Sequence, residues 1–465
     1  MKLKHLFLGW LALSVPFTFP IQAEFEDEDT NPIEVRLATE SPLIPLYLLP
    51  IMNEGSQLPT KYLKQLEQVL AFDLGHNGST SLVKSNLATN QLAGPSIFDD
   101  LGDSAEWRAQ NVFYVVRVRV KDKGLTALML NTTNQNLKGT DEVLLTGDLN
   151  QDRRQLHKLA DTIHRALFGS DGIASTKILY TVKMKSTDKL ISEVWESDYD
   201  GQNARQLTQG NQFCVTPAYV PPKPGYATGG FMYVSYQLGQ PKIYMMSLKD
   251  SKERRLTFLR GNQMMPAISQ QRDKVAFISD VTGNPDLFLQ PFSLENGAIG
   301  KPQQIFSAKL ATQSTPTFSP DGTKVAFVSD KDGSPRIYII EIPKPGTSLK
   351  EVKAQLISKR NRESSAPCWS PDGTKIAYCA KTKGERQIWV YDFKTNEERQ
   401  LTQGMGHKEN PSWAPNNLHL VFNSADAHGS ELYLINTNQA EAIQITSGKG
   451  DKRFPCWEPR IKALN

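Results

Sequence analysis

An internal repeat in the C-terminal two-thirds of the chain constrains the fold more than any other feature. Two five-residue blocks, Phe318–Gly322 (Phe-Ser-Pro-Asp-Gly) and Trp369–Gly373 (Trp-Ser-Pro-Asp-Gly), are each followed by Thr-Lys and an apolar run. Aligning these blocks reveals weaker copies, and one proline opens every copy: Pro217, Pro266, Pro316, Pro367, Pro411 and Pro455. A spacing of roughly 45 to 50 residues is typical of solenoids and β-propellers.

Each repeat has the composition of four short strands separated by turns. The Pro-Asp-Gly block favours a tight turn, because proline fixes one φ angle and glycine supplies a positive φ. The following run, Val325–Val328, is apolar at every position, so both of its faces must be covered. Stacked propeller blades provide that cover, and Phe318, Trp369, Trp413 and Trp457 are expected to fill the gaps between blades.

The two ends of the repeat region complement each other. The apolar run Ile178–Tyr180 has no proline-led strand before it, and Phe454–Trp457 is a proline-led strand with nothing after it. If these ends pair, six blades close into a ring without an open sheet edge. The sequence therefore predicts an α+β N-terminal domain followed by an all-β six-bladed β-propeller over residues 176–461; an open array of hairpins is the alternative.

The start of the chain has the pattern of a secretory signal peptide, predicted over residues 1–23. Lys2 and Lys4 precede an apolar stretch that is too short to span a bilayer, and Ala23 occupies the cleavage position. A retained N-terminal anchor is the alternative. Export permits disulfides, but the cysteine spacings match no disulfide or zinc framework. We expect four small, buried, free cysteines, with a disulfide as the alternative: Cys214, Cys368, Cys379 and Cys456.

Residues 24–168 are predicted to form a small α/β domain behind a disordered acidic tail, residues 24–32. Apolar residues at helical spacing predict one helix around Tyr62–Leu70 and another around Leu156–Leu167, with Asp152 near its start and Gly169 at its end. A short linker, residues 169–175, leads to the propeller. The predicted strands are Ile33–Leu37, Leu43–Ile51, Asn111–Val120, Leu125–Asn131 and Glu142–Leu149.

The chain lacks the sequence motifs of common catalytic sites. It has no Gly-x-Ser-x-Gly elbow, no His-Glu-x-x-His motif and no phosphate-binding loop. The net charge of +4 is spread without a basic run, so we expect no nucleic-acid binding. We expect no catalytic residue, no metal and no cofactor. Two alternatives remain: an enzyme or enzyme accessory of the peptidase or lyase type, and a channel that binds an ion through Glu363 and Glu409.

The residues just before each proline are predicted to rim one mouth of the propeller channel, because first strands line the axis. This rim is the candidate partner-binding surface, and solvated loop is its alternative. Its candidate residues are Thr216, Asn262, Gln263, Met265, Gln313, Ser314, Thr315, Glu363, His407, Glu409 and Arg453. A second candidate surface, for which a plain spacer is the alternative, is the acidic tail: Glu24, Phe25, Glu26, Asp27, Glu28 and Asp29.

This organisation resembles the TolB family of periplasmic proteins over nearly the whole mature chain. The most specific matches are Ile33–Arg36, Arg154–Asp161, Ala166–Gly169 and the first-blade segment Val194–Gly201. The acidic tail and the strand Leu43–Pro50 match the family less closely.

The resemblance implies a role in the Tol–Pal system, which supports outer-membrane integrity and envelope constriction in cell division. The propeller would bind the peptidoglycan-associated lipoprotein Pal, and the N-terminal tail would bind TolA, its exposure being coupled to what occupies the propeller. On this basis we expect a periplasmic monomer that associates with membranes only through its partners.

Overall fold

The computed structural model describes residues 42–460, except 95–96, 187–188, 211, 227, 438 and 440. The predicted signal peptide, the acidic tail and the strand Ile33–Leu37 lie outside the described residues. Among the described residues, no helix has the length and apolar character needed to cross a membrane.

The N-terminal region is a mixed sheet with helices on both faces. Its sheet has the strand order β3-β1-β4-β5-β6, with β2 also paired to β4 and β7 to β5. Strands β1, β3 and β4 run parallel, whereas β4, β5 and β6 run antiparallel. The elements are β1 (Ile44–Leu48), β2 (Met52–Glu54), α1 (Thr60–Gly75), β3 (Thr80–Leu82), α2 (Leu87–Asn90), α3 (Ser104–Ala109), β4 (Tyr114–Lys121), β5 (Gly124–Asn131), β6 (Asn136–Gly139), β7 (Val143–Leu144) and α4 (Leu149–Phe168).

The two faces of this sheet have separate cores because strand residues alternate in direction. Leu46 packs with α1 and α4, while Tyr47 packs with Trp107 on the other face. The predicted helices are confirmed, and Gly169 ends α4 in the left-handed conformation with φ 71°. The N-cap of α4 is Asp148, and Asp152 lies in the first turn, near the start of the helix as predicted.

The predicted strand Glu142–Leu149 is wrong beyond Leu144. Asp152, in the first turn of α4, accepts hydrogen bonds from the backbone N–H groups of Thr146 and Gly147. These bonds, at 2.8 and 3.0 Å, hold the chain in a turn that enters the helix, so a strand cannot continue.

The rest of the chain forms the predicted six-bladed propeller. The first three blades contain β8 (Lys177–Ser186), β9 (Lys189–Asp198), β10 (Arg205–Gln206), β11 (Cys214–Tyr219), β12 (Gly230–Ser235), β13 (Lys242–Ser247), β14 (Glu253–Arg255), β15 (Gln263–Ile268), β16 (Lys274–Ser279), β17 (Asp286–Ser293), β18 (Gly297–Ala298) and β19 (Gln303–Phe306).

The last three blades are built in the same way, with one short 3₁₀ turn at Leu349–Glu351. Their strands are β20 (Gln313–Phe318), β21 (Lys324–Ser329), β22 (Arg336–Glu341), β23 (Gln355–Leu356), β24 (Ser364–Trp369), β25 (Lys375–Thr382), β26 (Glu385–Asp392), β27 (Glu397–Gln400), β28 (His407–Trp413), β29 (His419–Asp426), β30 (Gly429–Asn436), β31 (Ile443–Gln444) and the closing strand β32 (Asp451–Trp457).

Ring closure takes place as the sequence predicts. Strand β32 joins the first blade beside β8, with Trp457 opposite Ile178 and Cys456 opposite Leu179. The open array of hairpins is therefore excluded. Second strands such as β21 are buried between neighbouring blades, with Val325 and Phe327 packed toward the third blade and Ala326 and Val328 toward the fifth.

All four cysteines are free, as expected. Cys214 and Cys379 are buried, and burial raises the pKa of the Cys214 thiol to about 12. Cys368 and Cys456 are half-buried on first strands of different blades. The disulfide alternative is excluded in this structure.

Candidate partner-binding face of the propeller

Every first strand carries a β-bulge at its proline. The pairing register shifts at this point in all six blades, for example between Val215 and Ala218 and between Ser314 and Thr317. Proline has no N–H to donate to the ladder, and an extra residue in the strand absorbs the mismatch. The residues before the prolines have positive φ: Thr216 (48°), Met265 (55°), Thr315 (42°), Ala366 (49°), Asn410 (54°) and Phe454 (53°).

One end of the propeller gathers two sets of loops, those that lead into the first strands and those that join second to third strands. Hydrogen bonds from backbone N–H groups hold the two sets together: Tyr236 N–H donates to the Phe213 carbonyl at 3.1 Å, and Asn262 N–H donates to the Asp280 carboxylate at 2.7 Å. We call this end the loop face. The opposite end, which carries the turns between first and second strands, is the turn face.

Buried amines and amides shape the loops of the loop face. The Lys408 ammonium donates to the carbonyls of Gly404 and Gly406 at 2.9 and 3.0 Å, and burial lowers its pKa. The Lys452 ammonium donates to the Gly448 carbonyl at 2.8 Å and to Glu431 at 2.9 Å. Carbonyl groups that converge on one cation fix the loop conformation, so the face is preformed.

The loop face exposes large apolar side chains. Phe258, Leu310 and Met405 are 73%, 89% and 91% exposed. Single exposed apolar residues are ordinary, but several on one end of a molecule indicate an interaction surface. The full set comprises Leu190, Tyr236, Leu238, Phe258, Val281, Leu310 and Met405.

The charged residues of the fifth and sixth blades neutralise one another on this face. Glu363 pairs with Lys381 at 3.1 Å, and His407 lies 3.2 Å from Glu385. Glu409 contacts Arg386 and lies 3.9 Å from Arg453.

Glu409 also raises the pKa of Arg386 above its usual value by charge and hydrogen bond, although burial acts in the opposite direction. Glu363 and Glu409, the two carboxylates of the alternative ion site, thus already face basic side chains. Among the described residues, no group of three His, Cys, Asp or Glu side chains is placed to hold a metal ion.

The predicted rim residues divide into buried and accessible ones. Gln263 and Gln313 are fully buried, and the Gln263 amide donates to the carbonyls of Leu259, Arg260 and Gly261. Such residues order the loops but offer no contact surface. Glu363 and His407 are exposed. The half-buried members are Thr216, Asn262, Met265, Ser314, Thr315, Glu409 and Arg453.

Two contacts within the rim were not foreseen. The Thr315 N–H donates to the Met265 sulfur at 3.2 Å, which links adjacent blades. The hydroxyl oxygens of Thr216 and Thr315 are buried without a hydrogen-bond partner.

Sequence reasoning missed the exposed apolar residues. Their only signal is a lone apolar residue in a polar loop, such as Phe258 after Leu256-Thr257. The tail candidates Glu24, Phe25, Glu26, Asp27, Glu28 and Asp29 lie outside the described residues.

Comparison with known proteins agrees with this architecture. A family model described as "TolB beta propeller domain" matches residues 164–461. The "Protein TolB homolog" of Protochlamydia amoebophila (strain UWE25) is 64% identical over 405 residues, which is 86% of each chain. That of Chlamydia abortus is 38% identical over 382 residues, covering 81% of this chain and 82% of the relative.

Among solved structures, the crystal structure of TolB from Acinetobacter baumannii is similar with a TM-score of 0.71. It covers 91% of this chain and 98% of its own, and the sequences are 22% identical. At that identity the likeness concerns the fold alone.

Proposed function

Because the chain belongs to the TolB family, we propose that it is a periplasmic, non-enzymatic scaffold whose loop face binds a Pal-like peptidoglycan-associated lipoprotein. In this role it supports outer-membrane integrity and envelope constriction during cell division. The observation that carries the proposal is the loop face itself, which combines preformed loops with exposed apolar side chains.

The composition of the loop face suits a protein partner better than a small substrate. Apolar side chains such as Phe258 and Leu310 supply contact area, and desolvating them is favourable. The surrounding ion pairs are already satisfied, so they set orientation rather than affinity. This pattern argues against the enzyme alternative, which needs clustered groups free to act on a substrate.

The N-terminal region is proposed to bind a TolA-like inner-membrane protein. Residues 24–29 carry five carboxylates around Phe25, a composition that pairs with a basic surface or orders on binding.

Calorimetry with purified Pal-like lipoprotein tests the first interaction. Ser314→Arg and Met265→Lys place charge on the rim and should weaken binding at least tenfold, about 1.4 kcal/mol. Tyr226→Asp is the matched control, since Tyr226 is 72% exposed on the turn face. Unchanged affinity for both rim variants removes the rim from the binding site.

Truncation tests the second interaction. A protein that begins at Glu34 should lose binding to the TolA-like partner and retain binding to the Pal-like one. Loss of both interactions, or of neither, contradicts the assignment of the tail.

A further inference from the structure

The turn face of the propeller is joined to the α/β region over the first and sixth blades. Residues of both regions share one core, in which Leu156 of α4 packs with Tyr199, Ala414 and Trp457 of the propeller. The described residues, from 42 to 460, accordingly belong to one compact unit. Two clusters lie in this junction, one around His157 and one around His419, and their surroundings are opposite in charge.

The first group centres on His157 of α4, which is 1% exposed. Its Nδ1 lies 2.8 Å from one carboxylate oxygen of Asp73, on α1, and 3.0 Å from the other. Its Nε2 points at the propeller and lies 3.7 Å from Asp200 and 4.0 Å from Asp198. Nε2 makes no hydrogen bond, but both ring nitrogens face carboxylates, and this surrounding negative charge favours the doubly protonated imidazolium.

The charges around His157 balance only when it is protonated. Three buried carboxylates, Asp73, Asp198 and Asp200, meet the ring. Arg153 pairs with Asp200 and Arg154 acts on Asp198 by its charge, so the imidazolium supplies the third positive charge. The Tyr199 hydroxyl donates to Asp73 at 2.8 Å. Loss of the imidazolium would leave buried carboxylates without a counter-charge, which is strongly unfavourable.

The second group surrounds His419 of the sixth blade, which is 2% exposed. Its Cε1 lies so close to Gly78 that a Cβ built on that residue would be 2.7 Å away. Burial has the largest effect on the pKa of His419, and two further histidines also lower it by their charge, His76 at the end of α1 and His164 of α4, while the His76 backbone acts in the opposite direction. The His419 Nδ1 lies 2.9 Å from the Asn416 amide nitrogen, while Nε2 is buried without a partner. A positive charge there would be buried beside other imidazoles.

We propose that this junction is a pH-dependent joint. The contact between the α/β region and the propeller is tight only in the pH range in which His157 is protonated and His76, His164 and His419 are neutral. Above this pH range the carboxylates of the first group repel one another, which we call the alkaline limb. Below it the imidazoles of the second group repel one another, which we call the acid limb. Either change loosens the contact between the α/β region and the propeller.

The direction of each limb follows from the ionisation of each group. Burial lowers the pKa of His157, but Asp73, Asp200 and Asp198 outweigh it and raise the pKa above its usual value. Its stabilisation is therefore complete below pH ~6.5 and is lost as the pH rises through its folded value.

Burial, together with His76 and His164, lowers the pKa of His419 to about 3. Burial likewise lowers the pKa of His76, against a hydrogen bond to the Phe72 carbonyl, and the pKa of His164, against the charges of Asp161 and Asp171. A lowered pKa means that stability is complete above pH ~6.5 and declines as the pH falls below it. Asp73 and Asp198, whose pKa values burial raises, oppose this acid limb, so single-residue variants are needed to separate the effects.

Hydrogen exchange of the full chain tests the joint. The protection of α4 and of residues 198–203, corrected for intrinsic exchange, should fall on both sides of pH ~6.5. The fall should be about tenfold for each unit by which the pKa of the histidine differs between the folded and the unfolded state. Strand β16, in the third blade, should keep constant protection. His157→Gln should abolish the alkaline limb alone, and His419→Asn should weaken the acid limb alone, because His76 and His164 still contribute to it.

His428→Gln is the matched control, because His428 is exposed on the loop face, outside the rim, and the substitution should leave both limbs intact. Should a variant fail to fold, the imidazole resonances of the wild-type protein decide. Titration of His157 above 6.5 and of His419 well below it supports the joint. Titration of both near 6.5, or a His157→Gln profile that keeps its alkaline limb, overturns it.

Discussion

The two ends of the propeller differ in which side chains they expose: one exposes apolar side chains, and the other buries charged ones. The loop face leaves Phe258, Leu310 and Met405 in solvent and pairs its charges there. Where the turn face meets the α/β region, Asp73 of α1 and His157 of α4 are buried as an ion pair. Exposed apolar area suits reversible binding of a partner, whereas a buried ionic cluster tolerates only one geometry. The propeller therefore has one end adapted for exchange and one for fixed attachment.

The largest effect should come from breaking the buried ionic cluster. Asp73→Ala removes the partner of both His157 and Tyr199 and should lower the free energy of unfolding by about 3–5 kcal/mol. Urea denaturation measures it. Asp250→Ala, which removes an exposed carboxylate, should leave the midpoint unchanged; equal midpoints for both variants would mean that the cluster does not stabilise the junction.

A glycine pair probes close packing at the two ends. Gly78→Ala should cost about 2 kcal/mol, because Gly78 has φ +82° and its new Cβ would collide with the His419 ring. Gly333→Ala tests the loop face, where φ is +89° but no atom lies within 4 Å, and should cost about 1 kcal/mol. Thermal unfolding of the two proteins gives the comparison, and a larger loss for Gly333→Ala would contradict it.

Phe258→Asp should weaken binding of the Pal-like lipoprotein by about 1–2 kcal/mol, since it removes exposed apolar contact area. The melting temperature should not change, because Phe258 packs on the surface and lies under Arg255 at 5.0 Å. Calorimetry alongside Tyr226→Asp checks the result. A melting temperature that falls with affinity would show that Phe258 stabilises the fold.

The smallest effect is expected from an exposed ion pair of the loop face. Lys381→Ala breaks the pair with Glu363, in which both side chains are about half exposed, and should cost less than about 1 kcal/mol. The difference between this loss of unfolding free energy and that of Asp73→Ala measures how much burial strengthens an ion pair. A cost near that of Asp73→Ala would remove the distinction between the two ends.

Local sequence signals predicted most of the elements, and they failed where distant residues intervene. The helix α4 and its end at Gly169 follow from periodicity and a left-handed glycine. The strand expected at Glu142–Leu149 is instead mostly a turn, held by Asp152 from within the helix. The sequence did not predict that Gln263 and Gln313 are buried, because a polar residue next to a loop is expected to face solvent.

The sequence alone determined the six-bladed ring and its closure, because the repeat records the same packing requirement six times and its two ends are complementary. It also placed one proline at each first-strand bulge. Only the tertiary structure brought Asp73, His157 and Asp200 together, and only it set the apolar side chains of separate loops on one face. The physical reason is that repeats and turns depend on neighbours along the chain, whereas ion clusters and surfaces depend on residues that meet only after the chain has folded.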